Sequence, residues 1–390
     1  MKRLLFLLFL ILMAASFLYG YENNPVFKSN VDQWLKKLTK DSNDFSQADS
    51  LNIEQPAKKQ QARPRIPKQL KAGKFDALDR YARNTPEKNA RSIPSLAAYL
   101  NKRANSEMEK ARLAFTWVAT HIHYDDEGYN SGSYIERSDS AESVLARRNA
   151  VCSGYSALFE KLATTMGLEA VSISGYSKGY SFTPNQKFTD TNHAWNAVKI
   201  DGEWMLIDAT WGNGYGITKN NQLKSIDRFN DVWFCMKPSA FLLTHLPEEE
   251  KWQFIPNPIT LAQYESLPKV SSLYVSLGLD SDVYLDLLLS GKLNELVKLY
   301  PIELPVYQIE MPIQPMLEKG QEYTFIFQSD YAEKIMLIDG EQWIPFKKEK
   351  DRFSIIYKPG SDRLKIGVKF NVFDSWYHTI AEYKIGEVGV

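Results

Sequence analysis

The sequence predicts an α+β protein in which a cysteine-bearing helix packs on an antiparallel sheet, followed by a small β-sandwich. Three observations carry that prediction. Apolar residues recur at helical spacing on both sides of "AVCSGY" (150–155), two alternating runs flank Asp201-Gly202, and a later series of short alternating runs is separated by turn residues.

The chain of 390 residues opens MKRLLFLLFLILMAASFLYG. Lys2 and Arg3 precede an apolar run over 4–19, and Ala14, Ala15, Ser16 and Gly20 offer small residues for cleavage, so 1–20 reads as a signal peptide. An uncleaved anchor is the weaker alternative, because the run is shorter than the ~20 residues a spanning helix needs. No cysteine follows the run, which excludes lipid attachment there. The expected location is therefore secreted or extracytoplasmic, in a periplasm or at a cell surface, with no transmembrane domain in the mature chain. Residues 21–74 are polar. Between 57 and 74 they carry seven basic residues and no acidic one, a composition that reads as a flexible tether. Over the whole chain Lys plus Arg equals Asp plus Glu at 47 each, so no net field draws nucleic acid. Two cysteines do not make a disulfide scaffold, and a composition 44% hydrophobic and 13% aromatic must supply the core instead.

From Phe75 helical spacing begins. Leu96 and Leu100, then Ala111, Phe115 and Val118, mark helices leading into the domain. Leu158, Phe159, Leu162 and Met166 continue the pattern after Cys152, and Gly167 supplies the stop. "NHAWNAVKIDGEWMLIDATWG" then alternates around Asp-Gly, a strong hairpin signal. Later come a helical insert, "VYLDLLLSGKLNELVKLY", and five alternating runs, "EYTFIFQS", "EKIMLIDG", "DRFSIIYK", "RLKIGVKF" and "HTIAEYKI". These read as a sandwich. The expected division is one domain over 75–267 and a second over 268–390.

The chemistry centres on Cys152. A thiol attacks as its thiolate, and the free N–H groups of a helix start favour that anion. A two-residue Asp201-Gly202 loop sets Ile200 opposite Glu203, Trp195 opposite Asp208 and His193 opposite Thr210. His193 and Asp208 then share one face as diagonal neighbours, within reach of a hydrogen bond. His193 would take the Cys152 proton and return it to a leaving amine, while Asp208 orients the ring. The Cys152 N–H would begin an oxyanion hole. Asn149, Trp117 and Tyr124 are candidates for its second donor.

"NAVCSGYSALFEKLATTMGLEA" followed by "NHAWNAVKIDGEWMLIDATWG" resembles the transglutaminase-like superfamily, and in particular its kyphoscoliosis-peptidase-like branch. The likeness extends to "KARLAFTWVATHIHYDD" upstream and "FCMKPSAFLLTHLPEEEKWQFIPNPI" downstream. It implies a papain-like α+β core, an acyl-enzyme mechanism with Cys152, His193 and Asp208 as the triad, and in some members a following immunoglobulin-like region. The function expected is attack on amide bonds of proteins or peptides, a cell-envelope component among the candidate substrates, with water or a primary amine resolving the thioester. The rival is a catalytically silent binding module of the cell envelope. Trp195 and Trp211 are the expected substrate-binding residues, although glycines beside Trp211 also suit a turn.

No cofactor or metal is expected. His121 and His123 alternate but lack a third ligand at a recognisable spacing, and no EF-hand loop occurs. Cys235, in "VWFCM", reads as core, and His245 as a loop or packing residue.

Overall fold

The computed structural model describes residues 75–386, apart from 137–138, 184, 272, 277–279, 303 and 305. The segments read as signal peptide and tether lie outside the described residues.

Three helices open the fold: α1 (Asp76–Arg83), α2 (Ile93–Asn101) and α3 (Glu107–His121). Ser92 and Ser106 cap α2 and α3 by accepting from the N–H groups of Ser95 and Glu109. In α3 every residue from Ala111 to Ala119 is buried, including Arg112 and Thr116. Such a helix is central, and its two polar residues need an internal partner. Asp79 of α1 provides it: one carboxylate oxygen accepts from Arg112 Nε at 2.8 Å and from Thr116 Oγ1 at 2.7 Å, the other from Arg112 Nη2 at 2.7 Å.

A short parallel pair, β1 (His123–Tyr124) and β2 (Asn149–Ala150), brackets α4 (Asp126–Ser131) and α5 (Ala141–Arg147). Then follows α6 (Cys152–Thr165), which ends where Gly167 adopts φ +87°. The main sheet of this part is antiparallel throughout. Its strands are β3 (Glu169–Ser177), β4 (His193–Ile200), β5 (Glu203–Ile207), β8 (Phe234–Met236) and β9 (His245–Pro247), in the order β8-β5-β4-β3-β9. Between β5 and β8 lie α7 (Ala209–Asn213) and the hairpin β6 (Gly214–Lys219) and β7 (Gln222–Asp227), and α8 (Pro238–Phe241) precedes β9. One apolar cluster joins α3, α6 and this sheet through Phe115, Trp117, Leu158, Phe159, Trp195 and Leu206. The expected arrangement of a cysteine-bearing helix on an antiparallel sheet is thus the arrangement found. β3 was not anticipated, although "EAVSIS" alternates.

Beyond β9 come α9 (Leu261–Ser266), α10 (Leu273–Ser276) and α11 (Ser281–Leu289). The boundary expected at 267/268 falls inside a single apolar cluster in which Leu242, Leu246, Tyr264 and Leu267 pack with Val270, Tyr284, Leu285 and Leu288. All five later runs form strands: β13 (Tyr323–Gln328), β14 (Lys334–Asp339), β17 (Arg352–Tyr357), β18 (Arg363–Lys369) and β19 (His378–Gly386). With β10 (Lys298–Leu299), β11 (Tyr307–Glu310), β12 (Met316–Glu318), β15 (Gln342–Pro345) and β16 (Lys347–Glu349) they make two sheets, β10-β19-β18-β14-β15 and β11-β13-β17-β16, with β12 also on β19. Phe325, Phe327 and Phe353 from one sheet share a core with Leu337, Leu364, Ile366 and Tyr383 from the other. No helix among the described residues is long and apolar enough to cross a membrane.

Candidate active site

Cys152 is the first residue of α6. The chain arrives from β2 with Val151 extended (φ −87°, ψ −177°) and no side-chain cap. The Val151 carbonyl accepts from the N–H groups of Gly154 and Tyr155. The N–H groups of Cys152 and Ser153 have no backbone acceptor among the described residues, so the positive end of the helix lies at the thiol. The helix start sits hard against its neighbours: a Cβ on Gly154 would lie 2.6 Å from Ala150 Cβ and 2.9 Å from a Val144 methyl. Beside it Ser153 Oγ donates to Asp139, whose other oxygen pairs with Arg147 at 2.8 Å. One turn on, Tyr155 Oη donates to the Ile122 carbonyl at 2.6 Å and Ser156 Oγ to that of Trp195 at 3.0 Å, while Asn196 Nδ2 donates back to the Ser156 carbonyl. The first bond ties α6 to the end of α3, and the other two tie it to β4. Cys152 is half-buried and Cys235 buried, and both are free thiols.

The hairpin has the two-residue loop expected, with Asp201 at φ +51° and Gly202 at φ +85°, and its register runs from Ile200↔Glu203 to Asn196↔Ile207. There it departs from expectation. The pairings of Trp195 with Asp208 and of His193 with Thr210 do not form, because Asp208 leaves the ladder to cap α7, its Oδ1 accepting from Trp211 N–H at 2.9 Å. Its own N–H donates to the Trp233 carbonyl. This cap turns Oδ2 toward β4, where His193 Nε2 lies 2.8 Å away. Both groups are buried.

His245, read from sequence as a loop or packing residue, belongs to the same cluster. It lies on β9, its Nε2 is 3.1 Å from the same Asp208 Oδ2, and its Nδ1 is 2.8 Å from Thr244 Oγ1. The ring is enclosed by Phe241, Trp211, Trp195 and Trp233, with centroids 4.2, 4.3, 5.1 and 5.3 Å away. The one signal in the sequence is a histidine between apolar residues in "LLTHLP". Gly175 on β3 lets β9 come this close, since a Cβ there would lie 2.3 Å from the Leu246 carbonyl oxygen and 2.4 Å from the Trp195 ring. Gly175→Ala is expected to cost about 1–3 kcal/mol in urea unfolding. An unchanged midpoint would show that the sheet absorbs the methyl group.

Burial alone would lower the His193 pKa, but the Asp208 carboxylate, through charge and hydrogen bond, and the nearby Cys152 override it and hold the imidazole above its usual range. Burial would raise Asp208, yet its two imidazole partners keep it well below the usual carboxylate range. His245 differs. Desolvation dominates there and lowers it to about 4, so it is a neutral imidazole at physiological pH. Of the three candidate oxyanion donors, Tyr124 stands within electrostatic reach of Cys152, its hydroxyl pKa pushed up by burial and by that neighbour. Among the described residues, Asn149 Nδ2 reaches the Tyr124 carbonyl, at 3.5 Å. Trp117 is fully buried beneath the Arg148 guanidinium, which removes it as a donor to substrate.

Trp195 is 1% exposed and packed between His193, His245 and Phe241. This corrects its expected part in substrate binding: it walls the imidazoles from within the core. Trp211 is half-buried with its ring 5.5 Å from that of His193. Among the described residues, His193, Asp208 and His245 are the group of ligand types whose atoms lie within 4.8 Å of one another. Both imidazole nitrogens are already directed at Asp208 Oδ2 in hydrogen bonds, and the arrangement reads as a hydrogen-bonded line. His121 bonds the Trp117 carbonyl, while exposed His123 pairs with Asp227.

This segment is similar to known proteins. The family model described as the transglutaminase-like superfamily matches residues 94–209. Kyphoscoliosis peptidase of Mus musculus is 31% identical over 193 residues, which cover 49% of this chain and 28% of that protein. Hillarin of Drosophila melanogaster is 30% identical over 53% of this chain and 26% of its own. The chain thus spans little more than a quarter of the curated relatives' length. A solved transglutaminase ("TGase") structure overlaps 43% of this chain and 38% of its own at 21% identity and a TM-score of 0.25. Helix-borne cysteine, strand-borne histidine and capping aspartate all fall inside the matched segment, and over residues 94–209 the chain carries a transglutaminase-like domain.

Proposed function

We propose that this protein is a cysteine-nucleophile enzyme that acts on amide bonds of proteins or peptides through a thioester. The observation that carries the reading is the line of groups at the start of α6: the thiol of half-buried Cys152 at free helix N–H groups, hydrogen-bonded to the His193 imidazole, whose far nitrogen is held by a buried carboxylate. Since Nε2 of His193 faces Asp208, Nδ1 is the nitrogen on the Cys152 side. It accepts the thiol proton, leaving thiolate and imidazolium. The sulfur attacks the amide carbonyl, forming the C–S bond, and the carbonyl electron pair moves onto oxygen, where the Cys152 and Ser153 N–H groups are placed to receive it. Collapse of the tetrahedral species breaks the C–N bond as His193 returns its proton to the departing amine. Water or a primary amine then attacks the thioester, His193 takes the proton of that nucleophile, and the thiol is released. Hydrolysis is the favoured outcome, because water needs no binding site; the name of the mouse relative, a peptidase, points the same way.

The same reading takes the two-sheet unit at the C-terminal end as immunoglobulin-like and the protein as exported. It makes the silent envelope-binding module the rival account.

Cys152 is expected to react with iodoacetamide at pH 7 at least roughly tenfold faster than Cys235, whose thiol pKa burial drives up. Equal rates would sink the enzyme reading. Wild type and Cys152→Ala, incubated with a peptide library and a labelled primary amine and followed by mass spectrometry, separate the reactions: cleaved peptides, deamidated glutamines or amine adducts, each lost in the variant.

A further inference from the structure

We propose that His245 is a positioning residue for the Cys152–His193 pair, donating Nε2–H to Asp208 Oδ2 and thereby holding that carboxylate oxygen on His193. The inference rests on the enzyme reading above and goes beyond it, for it extends a line of three groups to five: Cys152, His193, Asp208, His245 and Thr244.

The geometry constrains the protons. Asp208 Oδ2 lies 2.8 Å from His193 Nε2 and 3.1 Å from His245 Nε2. An ionised carboxylate only accepts, so both nitrogens donate. A neutral His245 with its proton on Nε2 has a bare Nδ1, which must accept, and Thr244 Oγ1 is the donor at 2.8 Å. The same hydroxyl lies 3.2 Å from the Phe241 carbonyl. It has one proton, and the shorter contact takes it. Thr244 is held in turn, since its carbonyl accepts from Tyr264 Oη at 2.6 Å and from Lys178 N–H at 3.0 Å. The threonine thus selects the tautomer, and the tautomer aims the carboxylate.

Charge explains why the second imidazole is useful only while neutral. Asp208 brings one negative charge into a buried site. His193, the ring on the cysteine side, becomes the cation when the thiol ionises. A second cation on the same oxygen would repel it, whereas a neutral N–H orients the carboxylate without competing. The enclosing rings of Trp195, Trp211, Trp233 and Phe241 exclude water that would otherwise take the place of that donor.

The test uses the full chain, with iodoacetamide as probe and labelling rates at Cys152 and Cys235 read separately by mass spectrometry at pH 7. His245→Phe keeps an aromatic ring among aromatic neighbours and loses the donor. His245→Gln keeps an N–H near the Nε2 position. Cys152 is expected to react about tenfold more slowly in His245→Phe, the low end for a lost hydrogen bond to a charged group, and within about threefold of wild type in His245→Gln. If His245→Phe does not fold, Thr244→Val decides, because it removes the tautomer-setting hydroxyl and leaves both imidazoles; slower Cys152 labelling is again expected. Wild-type rates in His245→Phe or in Thr244→Val, or equal losses in the Phe and Gln variants, would overturn the proposal. Failure of the underlying enzyme reading has its own signature, namely wild-type Cys152 reacting no faster than Cys152 in His193→Ala.

Discussion

Asp208→Asn is expected to slow Cys152 alkylation roughly 10- to 100-fold at pH 7 and to lower turnover of any amide substrate on the order of 10³-fold, while leaving the protein folded. The reason lies in what each carboxylate oxygen does. Oδ1 accepts from the Trp211 N–H at the start of α7, and Oδ2 accepts from two imidazoles. An asparagine that keeps its carbonyl on Trp211 turns its NH₂ toward His193 and His245, so that donors face donors. His193 then escapes the clash by moving its proton from Nε2 to Nδ1. Nδ1 is the nitrogen that must be bare to accept the thiol proton, and the variant therefore holds the base in the wrong tautomer. Flipping the amide rescues the imidazole and breaks the cap of α7 instead. The first arrangement keeps the cap and loses the function, so urea unfolding should move far less than the labelling rate. An Asp208→Asn protein whose Cys152 labels at the wild-type rate would remove the carboxylate from the mechanism.

The parts of this site that could be read from sequence are those set by local rules. An Asp-Gly loop between alternating runs fixes a register that holds as far as Asn196↔Ile207 and so brings Asp208 to the end of the strand beside the one that carries His193; a helical repeat ending in glycine places Cys152 at a helix start. What escaped were contacts between distant segments. His245 reaches Asp208 from the far edge of the sheet, across β3 and β4, and no spacing in "LLTHLP" encodes that distance. The departure at Asp208 was hidden for a related reason: whether a strand continues or turns into a capped helix depends on α3, against which α7 packs. A Cβ on Gly212 would lie 2.6 Å from the Phe115 ring, so the glycine read as a turn residue also marks a close approach. The five late strands were legible because each alternates between turns. The boundary at 267/268 was drawn on a change of texture, and the apolar cluster of Leu242 to Leu293 runs across it because burial follows volume, not sequence order.

The largest expected loss of stability lies away from the thiol, at Asp79. Arg112 is 2% exposed. Its guanidinium lies among the rings of Phe75, Phe234, Phe229 and Phe115, with centroids 4.9 to 5.7 Å away. Removing the carboxylate by Asp79→Ala leaves that cation nearly unpaired, with only the more exposed Asp231 at 3.2 Å, and strands the Thr116 hydroxyl. Breaking such a pair costs about 3–5 kcal/mol, because the remaining charge stays buried without compensation. Replacing both partners by apolar groups, in Asp79→Leu/Arg112→Met, leaves no charge behind and is expected to be more stable than either single variant. Urea midpoints for the four proteins give the coupling directly, and a double variant as unstable as the sum of the singles would show that the pair contributes nothing of its own. The result bears on the site as well. α3 lies against both α6, which carries Cys152, and α7, which Asp208 caps, and Asp79 ties α3 to α1. The fraction of Asp79→Ala that remains folded should label Cys152 at the wild-type rate, since no atom of the thiol–imidazole–carboxylate line has changed. A drop in that rate at constant folded fraction would mean that α3 also sets the geometry of the chemistry.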